Sequence, residues 1–184
     1  MPKVSEQHLA ARRAEILEGA RRAFAKHGYE GATVARLEEE TGLSRGAIFH
    51  YFDSKLDLFV ELASSDNIGY QQLLLDEGLD AVLRAIASAD RDWLGVLIET
   101  ESKLLHDPEF QKRIETPPDR RERLLDGFRE RQANGTFRSD IEAAELARFA
   151  TIVINGLALR VAGGDPTDID TVINLVNDAL RPRE

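Results

Sequence analysis

Between Thr33 and Lys55 the chain gathers side chains suited to holding an anionic polymer and touching flat hydrogen-bonding edges. They are Thr33, Arg36, Ser44, Arg45, Gly46, Ala47, Phe49, His50, Tyr51, Ser54 and Lys55. An arginine fork bonds two acceptors at once, as on a guanine edge or a phosphate, and a lysine serves an anion as a point charge. None of this is covalent chemistry. The sequence has no cysteine, no glycine-rich phosphate loop and no nucleophile elbow, and its histidines at 8, 27, 50 and 106 form no pair at metal-ligand spacing. Catalysis, a metal site and a required cofactor are therefore not expected.

The spacing of apolar residues supplies the elements that carry these groups. Ile16, Leu17, Ala20, Ala23, Phe24 and His27 follow one helical face, which predicts a first helix ending at Gly28 and a loop over residues 29–32. Thr33 is expected to cap a short second helix with Val34 and Leu37 turned inward, and Gly42 to form the corner of a tight turn. Ser44 then caps a third helix. Its inward residues are Ile48 and Phe52, four apart, so Arg45 and Phe49 share a different face. Ser54 and Asp57 make an approximate capping box for a fourth helix. Two short helices about a glycine corner, the second small, aromatic and basic, is a design that fits a helix into the major groove. The same geometry also occurs in helical hairpins that never meet nucleic acid.

The run from Thr33 through Phe52, followed by Asp53-Ser54-Lys55, closely resembles the DNA-binding domain of the TetR/AcrR family of repressors. The likeness extends back through Ile16-Leu17-Glu18-Gly19-Ala20 and Phe24-Ala25-Lys26-His27-Gly28-Tyr29, covers about residues 12–62, and is greatest toward the aconitase-repressor group of actinobacteria. It implies that Arg45 reads a base, that Gly46 and Ala47 keep the helix thin, and that Tyr51 donates to phosphate. Phe49 stands where many members carry Tyr, so that position offers apolar contact with a thymine methyl or a sugar. His50 is packed or faces phosphate. Ser54 and Lys55 at the fourth helix, and Thr33 at the second, suit phosphate. Arg36 either reaches DNA or pairs with Glu40, while Glu38-Glu39-Glu40 is read as a solvated face turned away from phosphate. Of Arg12, Arg13, Arg21 and Arg22, one or two are expected on the DNA backbone.

Beyond Gly78 the periodicity is again helical, over residues 79–87, 93–105, 120–132, 141–162 and 169–180, with no convincing strand. The expected fold is all-α. A three-helix helix-turn-helix DNA-binding domain occupies residues 1–55, with the motif at about 33–52, and a helical effector-binding and dimerisation domain occupies 56–184. One helix-turn-helix reads too few base pairs alone, so a homodimer on a palindromic operator is expected. The last two helices are its expected interface, through Ile152, Val153, Leu157, Val161, Val172, Ile173, Val176 and Leu180. Trp93, Leu97, Glu101, Phe128, Phe149 and Asn155 are candidates to line an effector pocket, with Glu99, Lys103, His106, Arg113 and Arg129 as further possibilities. The family likeness would imply a small tricarboxylate, but no matching cluster of basic residues stands out in the C-terminal half.

Bulk properties agree. At 184 residues the chain can bury about two-thirds of its unfolded surface, and 42% hydrophobic with 31% charged residues is ordinary for a globular protein. The net charge of -9 is unevenly spread: residues 1–55 hold 9 basic against 8 acidic side chains, or +1, and the rest 15 against 25, or -10. The acidity therefore sits where DNA need not be touched. Absent cysteines, absent apolar leader and charges at Glu145, Arg148 and Arg160 within the longest apolar stretch point to a cytoplasmic protein with no membrane span. The rival reading is a helical protein-interaction module that binds no DNA.

Overall fold

The computed structural model describes residues 6–183, and every regular element among them is helical. The helices are α1 (Glu6–Gly31), α2 (Val34–Thr41), α3 (Arg45–Ile48), α4 (Lys55–Asp76), α5 (Leu79–Ala87), α6 (Arg91–Leu104), α7 (Pro108–Ile114), α8 (Pro118–Ala133), α9 (Ala143–Ala162) and α10 (Ile169–Leu180). They form two compact units. The first takes the chain up to Asp66 together with Gly95–Ile114, and the second takes Asn67–Leu94 and Glu115 onward. The first unit thus holds more chain than the expected 55 residues, because α7 and most of α6 supply part of its core.

That core is built on the stripe read from the sequence: Ile16, Ala20, Ala23 and Phe24 of α1 meet Leu37 of α2, Ile48 and Phe52 of the third helical segment, and Leu58 and Phe59 of α4, all buried. Phe59 is its hub. Its ring lies 5.9 Å from Phe24, 5.2 Å from Tyr29 and 6.4 Å from Phe110 of α7. The sequence reading did not include α7, a short helix opened by Asp107, whose carboxylate accepts the Phe110 N–H at 3.2 Å. At Gly28 the chain kinks (φ 70°) as the expected stop requires, yet the residues to Gly31 add a further helical turn where a loop was expected.

The second unit packs α5 against α9 and α10, and α8 against α9. Leu79, Val82, Leu83 and Ile86 of α5 meet Leu146, Ala150, Leu157 and Val161 of α9 and Ile173, Val176 and Leu180 of α10 in a buried apolar core. Five residues expected at a dimer interface (Leu157, Val161, Ile173, Val176 and Leu180) are therefore interior to one chain, which corrects that expectation. The cause is physical: a clean stripe of large aliphatic residues is the stripe a chain buries against its own neighbours first. What remains outside is the excess. Ile152 (64% exposed), Leu159, Phe149 and, on α10, Leu175 (65% exposed) face outward, with Val153 and Val172 half-buried.

A polar clasp closes this unit. The Arg138 guanidinium, nearly buried, donates to both oxygens of Asp140 at 2.7 and 2.6 Å and to the Ala179 carbonyl, while the Arg138 N–H bonds the Leu180 carbonyl at 2.8 Å. This ties the loop before α9 to the end of α10 and satisfies carbonyls that a helix C-terminus leaves open. No helix among the described residues is long and apolar enough to cross a membrane.

Candidate nucleic-acid interface

Two glycines permit the close turn between the helices of the motif. Gly42 caps α2 in the left-handed region (φ 69°), its N–H bonded to the Glu38 carbonyl at 2.9 Å. Gly19 lets α1 touch the end of α2: a Cβ there would stand 2.6 Å from Thr41 Cγ2 and 2.8 Å from Thr41 Cα. Ser44 then caps α3 and accepts the Ala47 N–H at 3.3 Å. Helical bonding continues past α3, with the N–H groups of Phe49 and His50 on the carbonyls of Arg45 and Gly46. With Ile48 and Phe52 locked in the core, the other residues of this segment are turned outward.

Arg45 is exposed, and no carboxylate partners its guanidinium among the described residues. Gly46 is exposed as well, and a Cβ built on it meets nothing within 4 Å. Packing within the chain gives no reason for glycine in a helical turn, where it costs about 0.5–1 kcal/mol against alanine. Ala47, Phe49 and Tyr51 are half-buried and His50 is exposed, its ring edge-on to Tyr51 at 5.2 Å. The structure thus brings Ser44, Arg45, Gly46, Ala47, Phe49, His50 and Tyr51 onto one short projecting segment.

Its flanks are placed differently from expectation in several respects. Thr33 is the N-cap of α2 by position, but its side chain accepts no capping bond. Arg36 donates to the Gly31 carbonyl at 2.8 Å rather than to Glu40, whose carboxylate is held by Lys26 at 3.0 Å and Arg22. The Lys26 hydrogen bond lowers the Glu40 pKa and raises that of Lys26. Glu38 reaches the opposite way, its Oε1 accepting the Arg45 N–H at 2.6 Å. The acidic triplet is not a single solvated face, because two of its members brace the motif. Ser54 and Asp57 do form the capping box: Ser54 Oγ donates to Asp57 at 2.6 Å and accepts the Asp57 N–H at 3.2 Å. Lys55 sits over the Tyr29 ring and donates to its carbonyl at 2.9 Å, so its ammonium is partly engaged.

The α1 arginines are occupied inside the chain. Arg12 pairs with Glu15, Arg21 forks onto Asp66 at 2.9 and 2.6 Å, and Arg22 serves Glu18 and Glu40. Arg13 stacks over the Phe52 ring at 4.4 Å, pairs with Glu61 and donates to the Tyr51 carbonyl at 2.7 Å, so it holds the far end of this segment. Sequence reasoning missed Arg13, Gly19 and Glu38 in these roles. Arg13 lies 38 residues from Tyr51, and no local spacing signals such a pair. Arg113 of α7 pairs with Asp57, and this pair, with Ser54, outweighs desolvation to leave the Asp57 pKa lowered.

The residues expected to line an effector pocket differ in burial. Trp93 and Phe128 are buried core, Leu97 is half-buried, and Glu101, Phe149 and Asn155 are exposed. One hollow lies between α9 and the start of α10, lined by Val153, Leu157 and Val172, and another lies beside Arg13, Phe52 and Arg113. Of the further possibilities, Arg129 is held by Glu122 and Asp126 and Arg113 by Asp57, while the Lys103 side chain lies outside the described residues. Phe128 belongs to the core because it packs on Phe137 at 5.7 Å.

Comparison with known proteins adds an independent line. Residues 16–62 match the family described as bacterial regulatory proteins, tetR family. The chain is 42% identical over 185 residues to the HTH-type transcriptional repressor Rv1474c of Mycobacterium tuberculosis, covering 98% of this chain and 99% of that one. It is also 42% identical to the HTH-type transcriptional repressor AcnR of Corynebacterium diphtheriae, covering 98% and 97% respectively. Among solved structures, a mutant of the TetR family transcriptional regulator CifR complexed with 26-base-pair operator DNA is similar at 25% identity. Its TM-score is 0.66, with 91% of this chain and 95% of that chain covered.

Proposed function

This chain belongs to the tetR family of bacterial regulatory proteins, and on that footing we propose that it is a dimeric repressor of transcription. It sets α3 into the major groove of a palindromic operator and is released by a small-molecule effector. The observation that carries the reading is the outward segment after Ser44. It is rigidly anchored through Ile48 and Phe52, yet presents a carboxylate-free Arg45 beside a glycine that nothing in the chain requires. An arginine fork next to an uncovered backbone suits a guanine edge, where a bidentate pair discriminates by about 1–3 kcal/mol.

In this reading Arg45 is the principal base reader, Phe49 gives apolar contact, and His50, Tyr51, Thr33, Ser54 and Lys55 serve phosphates. Lys55 does so with a shared ammonium. Two copies must hold their recognition segments about 34–36 Å apart, one turn of B-DNA. The outward apolar residues Phe149, Ile152 and Leu159 of α9, with Leu175 of α10, support the pairing of two copies there, beside the half-buried Val153 and Val172. An effector acts by favouring a dimer with another spacing.

Titrating the protein into fluorescent duplexes drawn from a randomised library, at several salt concentrations, tests the reading. Affinity falling steeply with salt, with a log–log slope of several units, is expected from several phosphate contacts. A protein that enriches no duplex at low salt is an interaction module of another kind.

A further inference from the structure

We propose that Glu38 is a positioning residue for the recognition helix and, at the same time, a built-in brake on binding to arbitrary DNA. The inference rests on the DNA-binding reading above and deepens it. Glu38 braces the turn twice: its carbonyl accepts the Gly42 N–H at 2.9 Å, and its Oε1 accepts the N–H of Arg45, the first residue of α3, at 2.6 Å. The Ser44 cap on the same turn is longer, at 3.3 Å. The firmest hold on the start of α3 is therefore a charge-assisted bond from the preceding helix, of the shorter and stronger kind. It fixes the backbone from which the Arg45 fork departs.

The carboxylate carries a second consequence. Glu40, two residues on, has its charge balanced by Lys26 and Arg22, whereas no cation partners Glu38 among the described residues. Its negative charge stands at the end of α3 that reads base edges in this class of motif. Duplex phosphates within a Debye length of about 8 Å at physiological salt feel that charge whatever the sequence. Repulsion lowers affinity for operator and random DNA alike, while the backbone bond helps only the complex in which Arg45 must meet one particular base. The repulsion acts on every duplex, whereas the bond acts on sequence preference, so the two consequences are read out separately.

Glu38→Gln keeps an acceptor and removes the charge, and Glu38→Ala removes both. Binding of wild type and both variants is measured on duplexes enriched by the wild type and on a scrambled duplex, across a salt series, with thermal unfolding as the folding control. Glu38→Gln is expected to bind both duplexes about two- to fivefold more tightly, with a steeper salt slope and an unchanged preference ratio. Glu38→Ala is expected to bind scrambled DNA more tightly and to lose at least part of that ratio. Salt slopes equal to wild type in both variants overturn the brake, and an unchanged ratio in Glu38→Ala overturns the positioning role. If Glu38→Ala fails to fold, Glu38→Met, which fills similar space without an acceptor, takes its place, and an unchanged ratio there overturns the positioning role. A wild type that binds no duplex sinks the DNA reading itself, which is a different result from a wild type that binds and variants that behave like it.

Discussion

The segment from Ser44 to Tyr51 and the pair α9–α10 meet the same problem, a helix with more than one face to account for, and solve it in opposite ways. The first segment is anchored by the buried Ile48 and by Phe52 just beyond it, and exposes Ser44, Arg45, Gly46 and His50. The C-terminal helices bury a long aliphatic stripe and still expose Ile152, Leu159 and Leu175. In the first region the exposed remainder is small or polar. In the second, what lies outside is more hydrophobic surface, which is worth about 25 cal/mol per Å² once a partner covers it.

The largest expected effect separates the two faces of the second region. Val176→Asp places a charge in the core and is expected to cost more than about 4 kcal/mol, enough to lose cooperative unfolding in a thermal scan. Ile152→Asp leaves each chain folded and shifts the species seen in sedimentation from dimer to monomer, because only the outer surface is altered. A folded dimer for Ile152→Asp, or a folded Val176→Asp, would invert the assignment of inner and outer faces.

A smaller effect is expected at the first region's hinge. Gly19→Ala drives a methyl into the backbone and side chain of Thr41, so α1 and α2 must part. Overpacking of this kind costs about 1–3 kcal/mol. Urea unfolding should show that loss, together with weaker binding to every duplex, since the motif is displaced as a whole.

The smallest effect is acid-dependent and belongs to the second region. The Arg138 hydrogen bond pulls the Asp140 carboxyl from its ordinary 3.8 down to about 2. A carboxyl whose folded pKa is depressed stabilises the fold above its ordinary pKa, and that contribution fades as pH falls from 3.8 toward about 2. Asp140→Asn should therefore flatten the acid limb of the stability curve in that window and lower stability at neutral pH. An unchanged limb would show that the clasp with Arg138 does not form in solution.

Legibility in the sequence divides along the same line. The motif was readable because its determinants are local: a cap at Ser44, a corner at Gly42, two anchors four apart, a capping box at Ser54 and Asp57. Helix α10 was readable end to end for the same reason, since its apolar stripe is contiguous, while its Asp168 cap was not singled out. Periodicity told which residues of α9 and α10 were apolar but not which neighbour would claim them, so core and interface were interchanged at Leu157, Val161, Ile173, Val176 and Leu180. Polar contacts outside helical spacing left no trace, among them the long-range Arg13 on Tyr51 and Arg113 on Asp57 and, across the turn, Glu38 on Arg45. Helix α7 was missed because Pro108 reads equally as a stop or a start.

The central claim is that Arg45 reads a base from an outward helix, and it is tested most directly by Arg45→Ala. Its affinity is compared with wild type on the enriched duplex and on a scrambled one at fixed salt. The account predicts a loss of about 1–3 kcal/mol on the enriched duplex and a much smaller loss on the scrambled one, with unfolding unchanged. Equal losses on both duplexes would contradict it, because Arg45 would then be one more phosphate contact and the reading of sequence would lie elsewhere.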